Sequence, residues 1–288
     1  MQYGVVMPHY ELPATPIALR DFIIGVEELG YDYLLAYDHV IGANPDREGG
    51  WKGPYTYTHT FHEVFTLFSF AAGITETLGF ASGILILPQR DASLVAKQAA
   101  QVDLLSNGRL RLGVGVGWNK VEMQSLGFDF HNRGKRIDEQ VRVMQQLWQH
   151  ELVTFNGDYH HLDDVGINPL PVQRPIPVWF GGGADVVLRR MARLGAGWIP
   201  NGMTPDRAQA VVETLRAYLA ENGRDMSAFG IDVRLSMKRL PEDTWDDFIA
   251  GWTQLGMTHL AVITMENGYR TPDEHLGALA RFKTYLDG

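Results

Sequence analysis

Three glycine-rich strand ends and one acid–histidine pair carry the chemistry that this 288-residue chain could perform. Leu110 to Val116 has the make-up of a buried strand, and its run Gly113-Val114-Gly115-Val116-Gly117 leads into a helical segment. A glycine at a strand's end removes the Cβ that would keep a second backbone or a flat ligand away. The same pattern also serves a tight strand-to-helix turn. Upstream, Gly79 to Pro88 is an apolar strand containing the pair Ser82-Gly83. Downstream, Pro177 to Ala184 runs into Gly181-Gly182-Gly183 at a helix start, where free N–H groups and the positive end of the helix dipole suit a phosphate. Asp38-His39 ends another strand. A histidine there can hydrogen-bond a substrate or move a proton near neutral pH; the alternative is a helix-start residue capped by Asp38.

Other chemistries are excluded or weak. The chain has no cysteine, which removes disulfides, thiolate catalysis and zinc–thiolate sites. Its net charge of −9 argues against nucleic acid, whose phosphates need a basic face. His59-x-x-His62 straddles a loop boundary, while His160 and His161 are neighbours in a strand and point to opposite faces, so no metal site and no metal hydrolase is expected. The N-terminus has no basic region before its first strand, and no apolar run approaches the roughly 18–20 residues that span a bilayer. The expected location is the cytoplasm, with no membrane partner.

Strands and helices alternate along the whole length. Strands are expected at Tyr3 to Met7, Asp32 to Tyr37, Leu78 to Leu87, Leu110 to Val116, Val178 to Phe180, Ala196 to Pro200, Ile231 to Leu235 and His259 to Thr264. Helices fall between them, and Ile137, Val141, Met144, Leu147 and Trp148 share one helical stripe. Asn156-Gly157 signals a hairpin between Leu152 to Phe155 and Tyr159 to Leu162. Eight strand–helix units in a chain with 45% apolar residues predict one α/β domain over 1–288, a (β/α)8 TIM barrel. The alternative, a doubly wound open sheet, would place its glycine-rich loop after the first strand, where Met7-Pro8-His9-Tyr10 stands instead. The longest irregular stretch, Gly42 to Thr60, carries Trp51, Tyr55 and Tyr57 and in a barrel lies at the catalytic face.

Taken together, Gly30-Tyr31-Asp32-Tyr33 with Asp38-His39, Ser82-Gly83-Ile84, Ala96-Lys97-Gln98, Asp103 to Arg109, Leu112 to Trp118, Arg133 to Arg136, Asp138-Glu139 and Val178 to Gly182 resemble the bacterial luciferase-like superfamily. Within it the chain resembles the coenzyme F-420-dependent oxidoreductase subgroup. The match covers residues 1 to about 200 well, whereas the last third matches in its strand–helix rhythm alone. The resemblance implies a barrel with a flavin or deazaflavin ring at the C-terminal strand ends. The ring would be cupped by a bulge with a non-proline cis peptide at Ser82-Gly83 or Gly83-Ile84, beside Gly115 and Gly117. It implies cofactor phosphate at Gly182-Gly183, Asp38 and Asn119 as further cofactor contacts, and His39 as the catalytic residue near the reactive ring face. Trp118 stands where some sugar-phosphate-oxidising relatives carry a glutamate, which disfavours that reaction and supplies a flat apolar wall. His9, Trp51, Tyr55, Arg90 and Trp118 are the candidate substrate contacts, with Tyr10, Met265 and Glu266 nearby at strand ends. The expected function is hydride transfer between coenzyme F-420 and a small-molecule substrate. Oxygenation with reduced FMN supplied by a separate reductase is the second expectation, and flavin binding without turnover the third. A homodimer is expected through the apolar residues Val64, Phe65, Leu67, Phe68 and Phe70.

Overall fold

The computed structural model describes residues 1–287. Strands β1 (Gln2–Val6), β2 (Tyr33–Ala36), β3 (Gly79–Ser82), β4 (Leu85–Ile86), β5 (Leu110–Gly115), β6 (Val153–Asn156), β7 (His161–Val165), β8 (Val178–Gly181), β9 (Gly197–Ile199), β10 (Gly230–Ser236) and β11 (His259–Ile263) follow one another along the chain. Nine of them form one parallel sheet in the order β3-β2-β1-β11-β10-β9-β8-β5-β4, closed by pairing of β3 with β5. With β3 and β4 read as one interrupted strand, this is the eight-stranded TIM barrel. The helices around it are α1 (Pro16–Glu28), α2 (Val64–Ala72), α3 (Ala92–Leu105), α4 (Lys120–Ser125), α5 (Arg133–Gln149), α6 (Asp185–Leu194), α7 (Pro205–Glu221), α8 (Trp245–Gln254) and α9 (Pro272–Asp287).

Period-two alternation divides the strands between two apolar layers. Leu34 and Ala36 of β2 face the layer between sheet and helices, whereas Tyr33 and Leu35 join Val6, Ala81 and Ala261 inside the barrel. The N-terminal mouth is plugged by charge sandwiched in aromatics. Arg111 pairs with fully buried Asp232 at 2.6 Å, lies 4.6 and 4.4 Å from the Tyr33 and Trp179 rings, and the Tyr33 hydroxyl donates to Asp232 at 2.8 Å.

The third strand expected over Leu78 to Leu87 is broken in two. The Gly83–Ile84 peptide is cis, and the chain leaves the ladder there before β4 rejoins β5. The hairpin forms, but not as a two-residue Asn-Gly turn. Asn156 pairs with His161, and the intervening loop is held by the Glu139 carboxylate, which accepts the N–H groups of Asp158 and Tyr159 at 2.8 and 2.9 Å. Capture of those two donors stretches the turn. The apolar excess of α2 is consumed within the chain: Val64, Phe65, Leu67 and Phe68 are buried in the core, and Phe70 alone of the five is exposed. No helix among the described residues is long and apolar enough to cross a membrane.

Candidate active site

The C-terminal ends of the barrel strands surround a cavity of about 510 Å³. Tyr10 follows β1, Tyr37 to His39 follow β2, Gly83 and Ile84 interrupt the third strand, and Gly115 to Trp118 leave β5. Gly181-Gly182, Ile199, Ser236 and Ile263 end β8 to β11. The size lies within the range of about 300–1,000 Å³ usual for cofactor and ligand sites. The wall formed by Gly83, Gly115, Gly117, Gly181 and Gly182 carries almost no side chain. Two of the glycines let a second segment of the chain approach. A Cβ on Gly115 or Gly181 would stand 2.6 or 2.9 Å from the Ile84 side chain, so these residues seat the chain segment that bears the cis peptide. Arg234, from β10, donates to the Gly83 carbonyl at 3.3 Å and the Pro200 carbonyl at 2.8 Å and holds the other side of the same segment.

His39 lies against the loop aromatics, its ring centroid 4.9 Å from Tyr55, 4.8 Å from Phe61 and 6.1 Å from Trp118. Its Nδ1 meets the Glu122 carboxylate at 3.0 Å. The other ring nitrogen, Nε2, has no partner among the described residues and is not sealed from solvent. His39 also lines a side chamber of about 120 Å³ shared with Tyr55, His59, Phe61 and Asn119. Glu122 was missed by the sequence reading. Burial works to raise its pKa, but hydrogen bonds from His39, the Val40 N–H and Gln89 outweigh burial and hold it below the ordinary carboxylate range. Asn119-x-x-Glu122 has the spacing of a capping box, the one signal that could have found it. Asn119 does cap α4, accepting the Glu122 N–H at 3.1 Å, but the carboxylate turns to His39 instead of closing the box.

Several of the expected contact residues have protein partners of their own. Asn119 gives one amide hydrogen to the Glu122 carboxylate and accepts the Glu122 N–H, and it lines the side chamber next to His39. Ser82 is fully buried and donates to the Gly113 carbonyl at 2.8 Å, tying β3 to β5. Asp38 borders the cavity, yet its carboxylate takes the Ile86 N–H at 2.9 Å and the Arg90 guanidinium at 2.7 Å. Arg90 does not line the cavity, because Asp38 and Glu63 hold it on either side. His9 does not line it either: it is fully buried and accepts the Tyr37 N–H at 3.0 Å. The Trp51 ring lies tilted against Trp118, centroids 5.8 Å apart, and its indole N–H donates to the Tyr55 carbonyl at 2.8 Å, so it braces the long loop while Pro54, Tyr55 and Trp118 face the cavity. Gly182 lines the cavity and Gly183 lies just outside it. The N-cap residue of α6, Ala184, supplies no side-chain cap, which leaves the first N–H groups of that helix free. At the rim Arg239 and Glu266 form an exposed pair at 3.1 Å. No cluster of three metal-ligating side chains occurs among the described residues.

A family model described as luciferase-like monooxygenase matches residues 1–286. An uncharacterised protein of Mycobacterium tuberculosis is 32% identical over 201 residues, covering 67% of this chain and 68% of its own. An FMNH2-dependent dimethylsulfone monooxygenase of Pseudomonas putida is 33% identical over 166 residues, covering 56% of this chain and 46% of its own. Among solved structures, the coenzyme F-420-dependent tetrahydromethanopterin reductase of Methanopyrus kandleri superposes with a TM-score of 0.75 over 97% of both chains at 16% identity, a likeness of fold.

Proposed function

The chain belongs to the luciferase-like monooxygenase family and is a flavin- or deazaflavin-dependent oxidoreductase; from that premise we propose that it reduces a small organic acceptor with the aid of coenzyme F-420. When bound, the reduced deazaflavin supplies a hydride. An acceptor that gains a hydride on carbon must also gain a proton on its heteroatom. The observation that carries the reading is His39, which lines the cavity beside a wall nearly free of side chains and whose Nε2 has no partner among the described residues. Gly83-Ile84, Gly115 and Gly117 would hold the ring on that wall, and Gly182 with the start of α6 would hold the phosphate. His39 would move the proton at Nε2. Tyr10, Tyr55 and Trp118 would keep water from the reacting atoms.

A second reading, oxygenation with reduced FMN delivered by a separate reductase, draws on the Pseudomonas putida relative. The two separate on titration with coenzyme F-420 and with FMN, read by fluorescence, followed by turnover with and without oxygen. Tight coenzyme F-420 binding with oxygen-independent turnover supports the proposal. FMN binding with oxygen-dependent turnover transfers it to the second reading, and binding with no turnover of any kind supports a flavin-binding protein. Association as a homodimer belongs to the same proposal, although α2 offers it little beyond Phe70. Sedimentation showing monomer alone at micromolar concentration removes it.

A further inference from the structure

We propose that Glu122 is the positioning residue of the site: its carboxylate holds the neutral His39 ring as the Nδ1–H tautomer, so that Nε2 is the nitrogen that takes a proton from solvent and passes it to the substrate's heteroatom. This rests on His39 moving a proton in the reaction, but the tautomer belongs to the protein itself and is read without cofactor.

The hydrogen-bond inventory leaves little freedom. Oε1 of Glu122 receives the backbone N–H of Val40 at 2.6 Å, that of Ile41 at 3.5 Å and the Gln89 amide at 3.1 Å. Oε2 receives the Asn119 amide at 3.1 Å and faces His39 Nδ1 at 3.0 Å. Backbone N–H groups can only donate. The Asn119 orientation is set as well, because its oxygen accepts the Glu122 N–H. A proton on Oε1 would meet obligate donors, and the hydrogen bonds around the carboxyl outweigh its burial and hold its pKa below the ordinary range, so the group is ionised and Nδ1 presents a hydrogen to it. The side chain is fully buried, which makes an ionised carboxylate costly unless its charge is used. A clamp for Val40 and Gln89 alone would need no more than a neutral amide oxygen. The other groups around the ring do not compete for Nδ1. His9, from the loop after β1, is neutral, with burial and then His62 and His39 pushing it down to about 3. Asp38 is taken by Arg90, while Tyr55 and His59 come from the long loop on the chamber side. A carboxylate that fixes a histidine tautomer and then faces the imidazolium is the arrangement that orients catalytic and metal-bound histidines generally.

The experiment is nitrogen-15 NMR of histidine-labelled protein, whose two-bond couplings report which ring nitrogen carries the proton. Wild type is expected to show His39 as Nδ1–H. In Glu122→Gln the amide oxygen keeps the Val40 and Gln89 contacts, while the NH2 group donates to Nδ1. The tautomer should flip to Nε2–H. Turnover per folded molecule should then fall about 10²-fold or more, with cofactor affinity little changed and the thermal midpoint lowered by loss of the Asn119 contact. An Nε2–H signal in wild type overturns the proposal, and that spectrum decides alone if Glu122→Gln does not fold. A flipped tautomer with turnover preserved also overturns it. Failure of the hydride-transfer reading looks different: His39→Ala would then retain turnover while the wild-type tautomer stays Nδ1–H.

Discussion

His9 and His39 both stand just past strand ends, and position alone treats them alike. Burial separates them. His9 has no access to solvent, its Nε2 is taken by the Tyr37 N–H, and it stays neutral far below working pH. His39 keeps one nitrogen on a buried carboxylate and the other open. A proton donor or acceptor typically contributes about 10²- to 10⁴-fold to rate. His39→Ala is therefore expected to lower turnover in that range while cofactor affinity changes little. Turnover per folded molecule, measured alongside the thermal midpoint, checks this; preserved turnover with a lowered midpoint would make His39 a packing residue. Arg90 shows the same limit of positional reasoning. It follows the expected strand, but two carboxylates far away in sequence, Asp38 and Glu63, decide where its guanidinium points. Long-range partners of this kind leave no local periodicity to read.

At the scale of elements the sequence was informative wherever apolar period and glycine punctuation agreed. The helix start expected at Gly181-Gly182-Gly183 is followed by α6 from Asp185, and the expected barrel strands differ mainly by a residue or two at their ends. The break of the third strand was placed through resemblance, not periodicity, since Gly79 to Leu87 reads as one apolar run. The helical segment expected after Gly117 is the six-residue α4, too short for a hydrophobic stripe to give it bounds or to single out Glu122. The start of α6 makes a prediction at this scale. A Cβ on Gly183 would stand 2.7 Å from the end of the flexible Met203 side chain, so a larger residue there should crowd the phosphate approach more than the barrel. Gly183→Val is expected to weaken binding of the phosphorylated cofactor by about 10- to 100-fold, the worth of a charge-assisted hydrogen bond. The phosphate-free chromophore, riboflavin or the deazaflavin alone, should bind both proteins nearly equally. Equal loss for both ligands would place the phosphate elsewhere.

The whole molecule treats its two barrel mouths differently, and buried histidines tie that difference to pH. The N-terminal mouth is closed by Arg111, Asp232, Tyr33 and Trp179, with His259 against the last two rings. The C-terminal mouth holds the cavity, with His9 beneath it and His275 behind β11, where it meets Thr264 at 2.7 Å. Burial foremost lowers the pKa of His9 and His259 to about 3 and that of His275 to about 4. In the unfolded chain a histidine titrates near about 6.5. Below that value the unfolded state binds protons that the folded state refuses, so stability falls as pH falls. The contribution is fully present above about pH 6.5 and is lost progressively toward the folded values. Between pH 7 and 5 these histidines should therefore lower the thermal midpoint of the wild type, while Glu11, whose pKa burial raises, works the other way. His9→Gln retains an acceptor for the Tyr37 N–H and removes one titrating group. Its midpoint should fall less steeply over the same interval, whatever its absolute value. Parallel curves for the two proteins would show that His9 takes up its proton in the folded barrel, and the neutral role assigned to it would be lost.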